Sequence, residues 1–157
     1  MLKTFSYSAT TSLELDQTWE LLADLANRKT CSDVYADVEW SGTPWKPGSC
    51  ITGNLKYPVG MPFRYVLQTC QAPHQITYLA HGLDPAFTTH RIVQFDLESA
   101  EPGTSIKVTS YVLGEPTTPG RRGNNLKAVT DRWLKGFVKF CNSRQNELAV
   151  ASEKTPS

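Results

Sequence analysis

The order of elements constrains this chain more than any single residue does. An alternating strand opens it and a short helix pair follows. Then come about six more alternating strands separated by turn clusters, and an amphipathic helix from about Arg122 to Leu148 closes the chain. Sequential strands joined by tight turns pair as antiparallel neighbours, so the sheet has one apolar face to bury. The terminal helix is the only large element left to cover that face, which makes the chain α+β. A curved sheet gripping one helix leaves space between them, and such a space is a candidate ligand site.

The local periodicities behind this order are clear. Thr4–Ala9 sets Phe5, Tyr7 and Ala9 against Thr4, Ser6 and Ser8, the pattern of a half-buried strand. Asp16 is placed to cap a helix carrying Trp19, Leu22 and Leu25/Ala26 at helical spacing, and the polar tract Asn27–Asp33 holds a second short turn. Val34, Ala36, Val38 and Trp40 define a strand with one apolar face. Further strands are predicted over 49–57, 63–70, 75–81, 88–98 and 105–113. The last helix carries Leu126, Val129, Trp133, Phe137, Phe140/Cys141 and Leu148 on one stripe, with Gly136 beside it allowing close backbone approach or space for a ligand. A single domain over 1–150 and a disordered polar tail over 151–157 are expected.

Composition excludes several classes. A formal net charge of +1 with no Lys/Arg run gives no electrostatic footprint for nucleic acid. The start, MLKTFSYSATTS, has no apolar run like that of a signal peptide, and nothing approaches the roughly 20 apolar residues of a membrane helix. Cys31, Cys50, Cys70 and Cys141 are scattered without a CxxC pair, so they read as free or buried thiols of a reducing compartment, and the expected location is cytoplasmic. No GxSxG elbow, phosphate loop or HExxH occurs, and the histidines lack ligand spacing; no metal and no cofactor are expected.

Up-and-down topology sorts the loops. One end carries Ser41–Gly48, Gln71–His74 and Ser99–Gly103, all plain turn chemistry. The other carries Tyr57–Pro62, Gly82–Thr88 and Gly114–Gly123, where Met61, Leu83 and Phe87 are apolar residues that a solvated turn does not need. They either gate a cavity or cap the open end of the core.

Three stretches carry a family resemblance: Leu15–Asp24 after the first strand, Trp45-Lys46-Pro47-Gly48-Ser49 before the third strand, and Pro102-Gly103-Thr104-Ser105 in the penultimate hairpin. From about Thr4 to Leu148 the chain resembles the START/Bet v 1-like (SRPBCC) superfamily and its polyketide cyclase/dehydrase-like members. The resemblance implies a helix-grip fold, with a curved antiparallel sheet of about seven strands wrapped around a long C-terminal helix. It also implies a cavity for a hydrophobic or aromatic small molecule. Some members carry such a ligand; others cyclise or dehydrate it without a cofactor.

Taking the apolar face of each strand as inward places Tyr57, Tyr65, Tyr78, Arg91 and Ser110 among Phe63, Val93, Phe95, Trp133 and Phe137, the expected ligand-binding surface. Arg91 shares its face with Val93, Phe95 and Leu97. A buried cation needs a carboxylate, a phenolic oxygen or an anionic ligand; otherwise it snorkels to solvent. With Tyr65 and Tyr78 it forms the candidate catalytic set, since phenols and a guanidinium can hold an enolate. His74 reads as a solvated turn residue. His81, His90 and Asp84 flank or lie in the Gly82–Thr88 loop, as proton carriers or as surface residues. Two functions follow: an enzyme cyclising or dehydrating a polyketide-like substrate, or a non-catalytic carrier or sensor of a lipid or isoprenoid. In either the protein is a monomer or homodimer, with no nucleic acid or integral membrane partner.

Overall fold

The structure, a computed structural model, describes residues 3–56, 61–82, 90–113 and 121–154; the side chains of Lys3, Met61, Gly82, His90, Leu113 and of residues 121–128 and 152–154 lie outside the description. Strand β1 (Lys3–Thr11) is followed by helices α1 (Leu15–Ala23) and α2 (Leu25–Thr30). Then come β2 (Tyr35–Ser41), β3 (Cys50–Leu55), β4 (Met61–Gln71), β5 (Gln75–Gly82), β6 (His90–Ser99), β7 (Thr104–Leu113) and the long helix α3 (Arg121–Lys154). All seven strands join in one antiparallel sheet in the order β1-β7-β6-β5-β4-β3-β2, so every hairpin pairs neighbours and only β1 crosses to the far edge.

The inner face follows the alternation read from sequence, with two exceptions where a strand gains a residue. Between Tyr35 and Asp37 the register of β2 against β3 shifts, Tyr35 pairing with Leu55 but Asp37 with Asn54. The extra residue inverts the alternation, so Tyr35, not Ala36, joins Val38 and Trp40 on the inner face. Gly53 makes room for this bulge: a Cβ there would run into the Asp37 carbonyl oxygen. A second shift, between Leu67 and Thr69, brings Cys70 opposite the buried Ile76.

Helix α1 starts at Leu15 with Glu14 as its N-cap, so Asp16 does not cap it but lies in the first turn, where its charge suits the helix dipole. Burial around Leu13 sets this earlier start. The Thr104 hydroxyl donates to the Leu13 carbonyl at 2.7 Å and the Thr18 hydroxyl donates to the same oxygen at 3.1 Å. Asp24 then ends α1 and caps α2, its carboxylate accepting from the Ala26 N–H.

Helix α3 lays Val129, Trp133, Leu134, Phe137 and Cys141 onto the sheet. It runs on to Lys154 through Ala149, Ala151 and Lys154, good helix formers that extend it where a tail was expected from 151. This end clears the sheet, so Leu148 leaves the buried stripe and is 39% exposed. Gly136 serves close approach: a Cβ there would sit 2.5 Å from the Cys31 carbonyl oxygen, so α3 lies directly on the α2–β2 connection. An ion pair between Arg132 and Asp33 bridges the same two segments. The four cysteines are free thiols, and Cys141 alone is buried. No described helix is long and apolar enough to cross a membrane.

Candidate functional site

The inner face carries a continuous line of rings. Tyr35 meets Phe63 (5.3 Å between centroids), Phe63 meets Tyr65 (4.7 Å), and Tyr65 meets Tyr78 (5.8 Å). Tyr78 then meets Phe95 edge-on, Phe95 meets Trp133 edge-on, and Trp133 stacks on Phe137 at 5.1 Å with a 9° interplanar angle. The bulge in β2 delivers the Tyr35 ring, strand alternation the next four and helical spacing the last two, so the line runs from the sheet edge onto α3.

Inside it stands a side chain that the sequence reading left in a polar tract. Arg28, in the last turn of α2, is 3% exposed. Its NH2 donates to the Tyr78 hydroxyl at 2.6 Å. Its guanidinium carbon lies 5.2, 5.7 and 5.8 Å from the ring centroids of Tyr78, Phe95 and Trp133, the geometry of a cation held against aromatic faces. Burial disfavours its charge, but the phenolic oxygens of Tyr78, Tyr35 and Tyr65 outweigh that and raise its pKa further. Arg91 lines the same space from β6 and is 9% exposed, buried on the inner face instead of reaching solvent.

Together these groups bound a cavity of about 30 Å³. Tyr35, Tyr65, Tyr78, Val93, Phe95 and Trp133 contribute to its wall, and no carboxylate or imidazole does so among the described residues. Tyr35 and Tyr78 stay protonated: burial pushes Tyr35 well above the usual tyrosine range and Tyr78 above it, Arg28 offsetting only part of the effect. Tyr35 and Tyr65 share a hydroxyl contact at 3.4 Å. The Arg28 Nε, the Trp133 Nε1 and the Ser110 Oγ are buried without a hydrogen-bond partner among the described residues. The wall therefore offers donors of positive or neutral charge. It can seat an oxygen that carries negative charge, and none of its described groups is a base at neutral pH.

The structure thus brings together Arg91, Tyr65, Tyr78, Val93, Phe95 and Trp133 on one cavity. Phe63 and Phe137 belong to the adjoining ring line, and Ser110 is buried opposite Val93 in the β6–β7 register. Tyr57, Leu83, Phe87 and Asp84 lie outside the described residues, as do the side chains of Met61 and His90. His81 alternates with the inward Ala80 and so falls on the outer face, while the exposed His74 is tied by its Nδ1 to the Leu97 carbonyl at 3.0 Å. Sequence reasoning missed Arg28 and Tyr35. The signals for them were the i,i+3 spacing of Leu25 and Arg28 on α2, and Gly53 opposite β2 as the mark of a bulge. Among the described residues no group of His, Cys, Asp and Glu gathers as a metal site would require.

Comparison with known proteins gives a likeness of shape. No family model matches the chain, and no curated protein does. Among solved structures, Ara h 8.0201, a Bet v 1 homologue, superposes with a TM-score of 0.72 at 13% identity, over 91% of this chain and 99% of that one. Protein CV1439 from Chromobacterium violaceum gives a TM-score of 0.68 at 11% identity, over 88% and 96%. DynU16, a protein of the dynemicin biosynthetic locus, gives 0.66 at 14% identity over 87% of this chain but 46% of its own. What this likeness shows is the fold: seven antiparallel strands curled on a long C-terminal helix, with two short helices after the first strand, form a helix-grip fold.

Proposed function

We propose that the space between the sheet and α3 binds a small hydrophobic molecule with aromatic or otherwise flat character, and that the protein carries or senses this molecule. The observation that carries the reading is the composition of the cavity wall: aromatic rings interrupted by a few convergent polar groups, Arg28, Arg91 and the hydroxyls of Tyr35, Tyr65 and Tyr78. Core residues alone would not call two guanidiniums inside, because desolvating each is costly. The overall shape, shared with Ara h 8.0201, supports the same reading.

A second reading, cofactor-free cyclisation or dehydration of a polyketide-like substrate, is favoured by the Arg28–Tyr78 hydrogen bond. A phenol held by a guanidinium still has its own hydrogen to donate, and the pair would stabilise an enolate oxygen. Proton abstraction, however, needs a base, and protonated phenols and guanidiniums supply none. Binding is accordingly the primary proposal. Native mass spectrometry of protein purified from its own host, with thermal shifts across fatty acids and aromatic polyketides, tests it. A retained apolar ligand or a concentration-dependent rise in melting temperature is expected. No retained mass and no shift with any compound would overturn it.

A further inference from the structure

We propose, resting on the binding reading above, that the ligand carries an oxyanion which seats against the Arg28 guanidinium and supplies the counter-charge that the described cavity wall lacks. Three observations converge. Arg28 is 3% exposed, and its one hydrogen bond among the described residues goes to a neutral phenol. Its Nε and the indole Nε1 of Trp133, whose ring lies 5.8 Å from the guanidinium carbon, are both buried without a partner among the described residues. Arg91 adds a second guanidinium to the same wall, and no carboxylate lines it among the described residues.

Buried donors without acceptors are rare in folded proteins, and a buried cation without a counter-charge is rarer. Ring faces attract a guanidinium, but they do not accept from an in-plane N–H, so the aromatic box leaves Nε unanswered. An oxyanion answers both orphan donors and the charge at once. A neutral carbonyl would satisfy the donors and leave the charge. The dimensions fit a head group: about 30 Å³ has room for a water molecule or two, hence for a carboxylate or one ring oxygen, not for a whole ligand.

Carboxylate and phenolate share this chemistry, and titration calorimetry of the full chain at neutral pH separates them. Two matched pairs serve, 2-naphthoate with 2-naphthamide and decanoate with decanamide, beside 4-nitrophenol, whose absorbance reports its ionisation. At least one acid is expected to bind about 10- to 100-fold more tightly than its amide, the range for a hydrogen bond to a charged group. Alternatively, bound 4-nitrophenol ionises at a lower pH than the free phenol, which identifies a phenolate-type head. Arg28→Met should abolish whichever preference is seen, and Arg28→Lys should keep part of it. Should Arg28→Met fail to fold, the acid/amide ratio of the wild-type chain decides alone. Equal affinity within both pairs, with no change in nitrophenol ionisation, overturns the oxyanion while leaving the binding reading intact. No binding by any of the five compounds overturns both.

Discussion

Replacing Gly136 by Ala sets two effects of known size against each other. In a helix interior the change is worth about 1 kcal/mol of added stability, through the entropy that glycine loses on folding. Here, though, the new methyl would sit 2.5 Å from the Cys31 carbonyl oxygen and 3.0 Å from Ser32 Cβ. Restoring ordinary contact needs a shift of about 0.9 Å between α3 and the α2–β2 connection, both of them backbone and neither free to yield like a side-chain tip. Overpacking of this kind costs about 1–3 kcal/mol, so the contact should win. The expected net loss is about 1 kcal/mol, a fall of about 2–4 °C in melting temperature for a chain of this size. Urea denaturation should show it as a lowered midpoint with an unchanged slope. Ser143→Ala, at an exposed site on the same helix, is the propensity control and should stabilise slightly. Cys31 is the C-cap of the helix that carries Arg28, so the shift should also disturb the Arg28–Tyr78 bond. A Gly136→Ala protein more stable than wild type by the full propensity gain would show that α3 does not press on the Cys31 carbonyl.

Trp133→Ala should lower stability by about 3–5 kcal/mol, since it removes the ring that stacks on Phe137 and meets Phe95 edge-on; a denaturation midpoint near that of wild type would mean that the helix does not grip the sheet. Alkaline pH should destabilise the fold through Tyr35 and Tyr78. Their folded-state pKa values are raised chiefly by burial, so their contribution is intact below the unfolded value of about 10 and is lost as pH rises beyond it, where the unfolded chain releases phenolic protons that the native state must keep. Denaturant midpoints measured across that range should fall more steeply for wild type than for the Tyr35→Phe/Tyr78→Phe double variant, and parallel curves would remove these two phenols from the buried set.

Alternation exposes strands well when one face is solvated, and this is why β3 to β7 and their inward residues were legible. Tyr65, Tyr78, Arg91, Val93 and Phe95 all face inward as their parity requires. Tyr35 was not legible from parity, because one extra residue in β2 brings it onto the inner face out of phase with Val38 and Trp40. Arg28 failed for a different reason. A six-residue helix is under two turns long, too short to display a period, and Asn27-Arg28-Lys29-Thr30 has the composition of a solvated turn. Burial of Arg28 is decided by elements far away in sequence: β5 supplies the Tyr78 hydroxyl and the Tyr78 ring, β6 the Phe95 ring and α3 the Trp133 ring.

That separation bears on what the cavity can do. Arg91 sits on a strand, fixed by ladder hydrogen bonds on both sides. Arg28 sits on a short helix whose position depends on the Asp24 cap, the Asn27 side-chain bond to the Leu21 carbonyl, and the pressure of Gly136 on the Cys31 carbonyl. A helix under two turns long opens at lower free energy than a strand paired on both sides. A charge that must meet a ligand inside a filled aromatic core gains from such a mount, because the guanidinium can follow the ligand without unpicking the sheet. A sensor needs the bound state to differ somewhere from the free state, and the α2 segment is where this fold can differ at least expense. Hydrogen exchange with and without 2-naphthoate locates that difference: protection should rise in Leu25–Thr30 before it rises in β5 or β6. Uniform protection across the sheet with none in α2 would place the response in the strands and assign α2 no part in it.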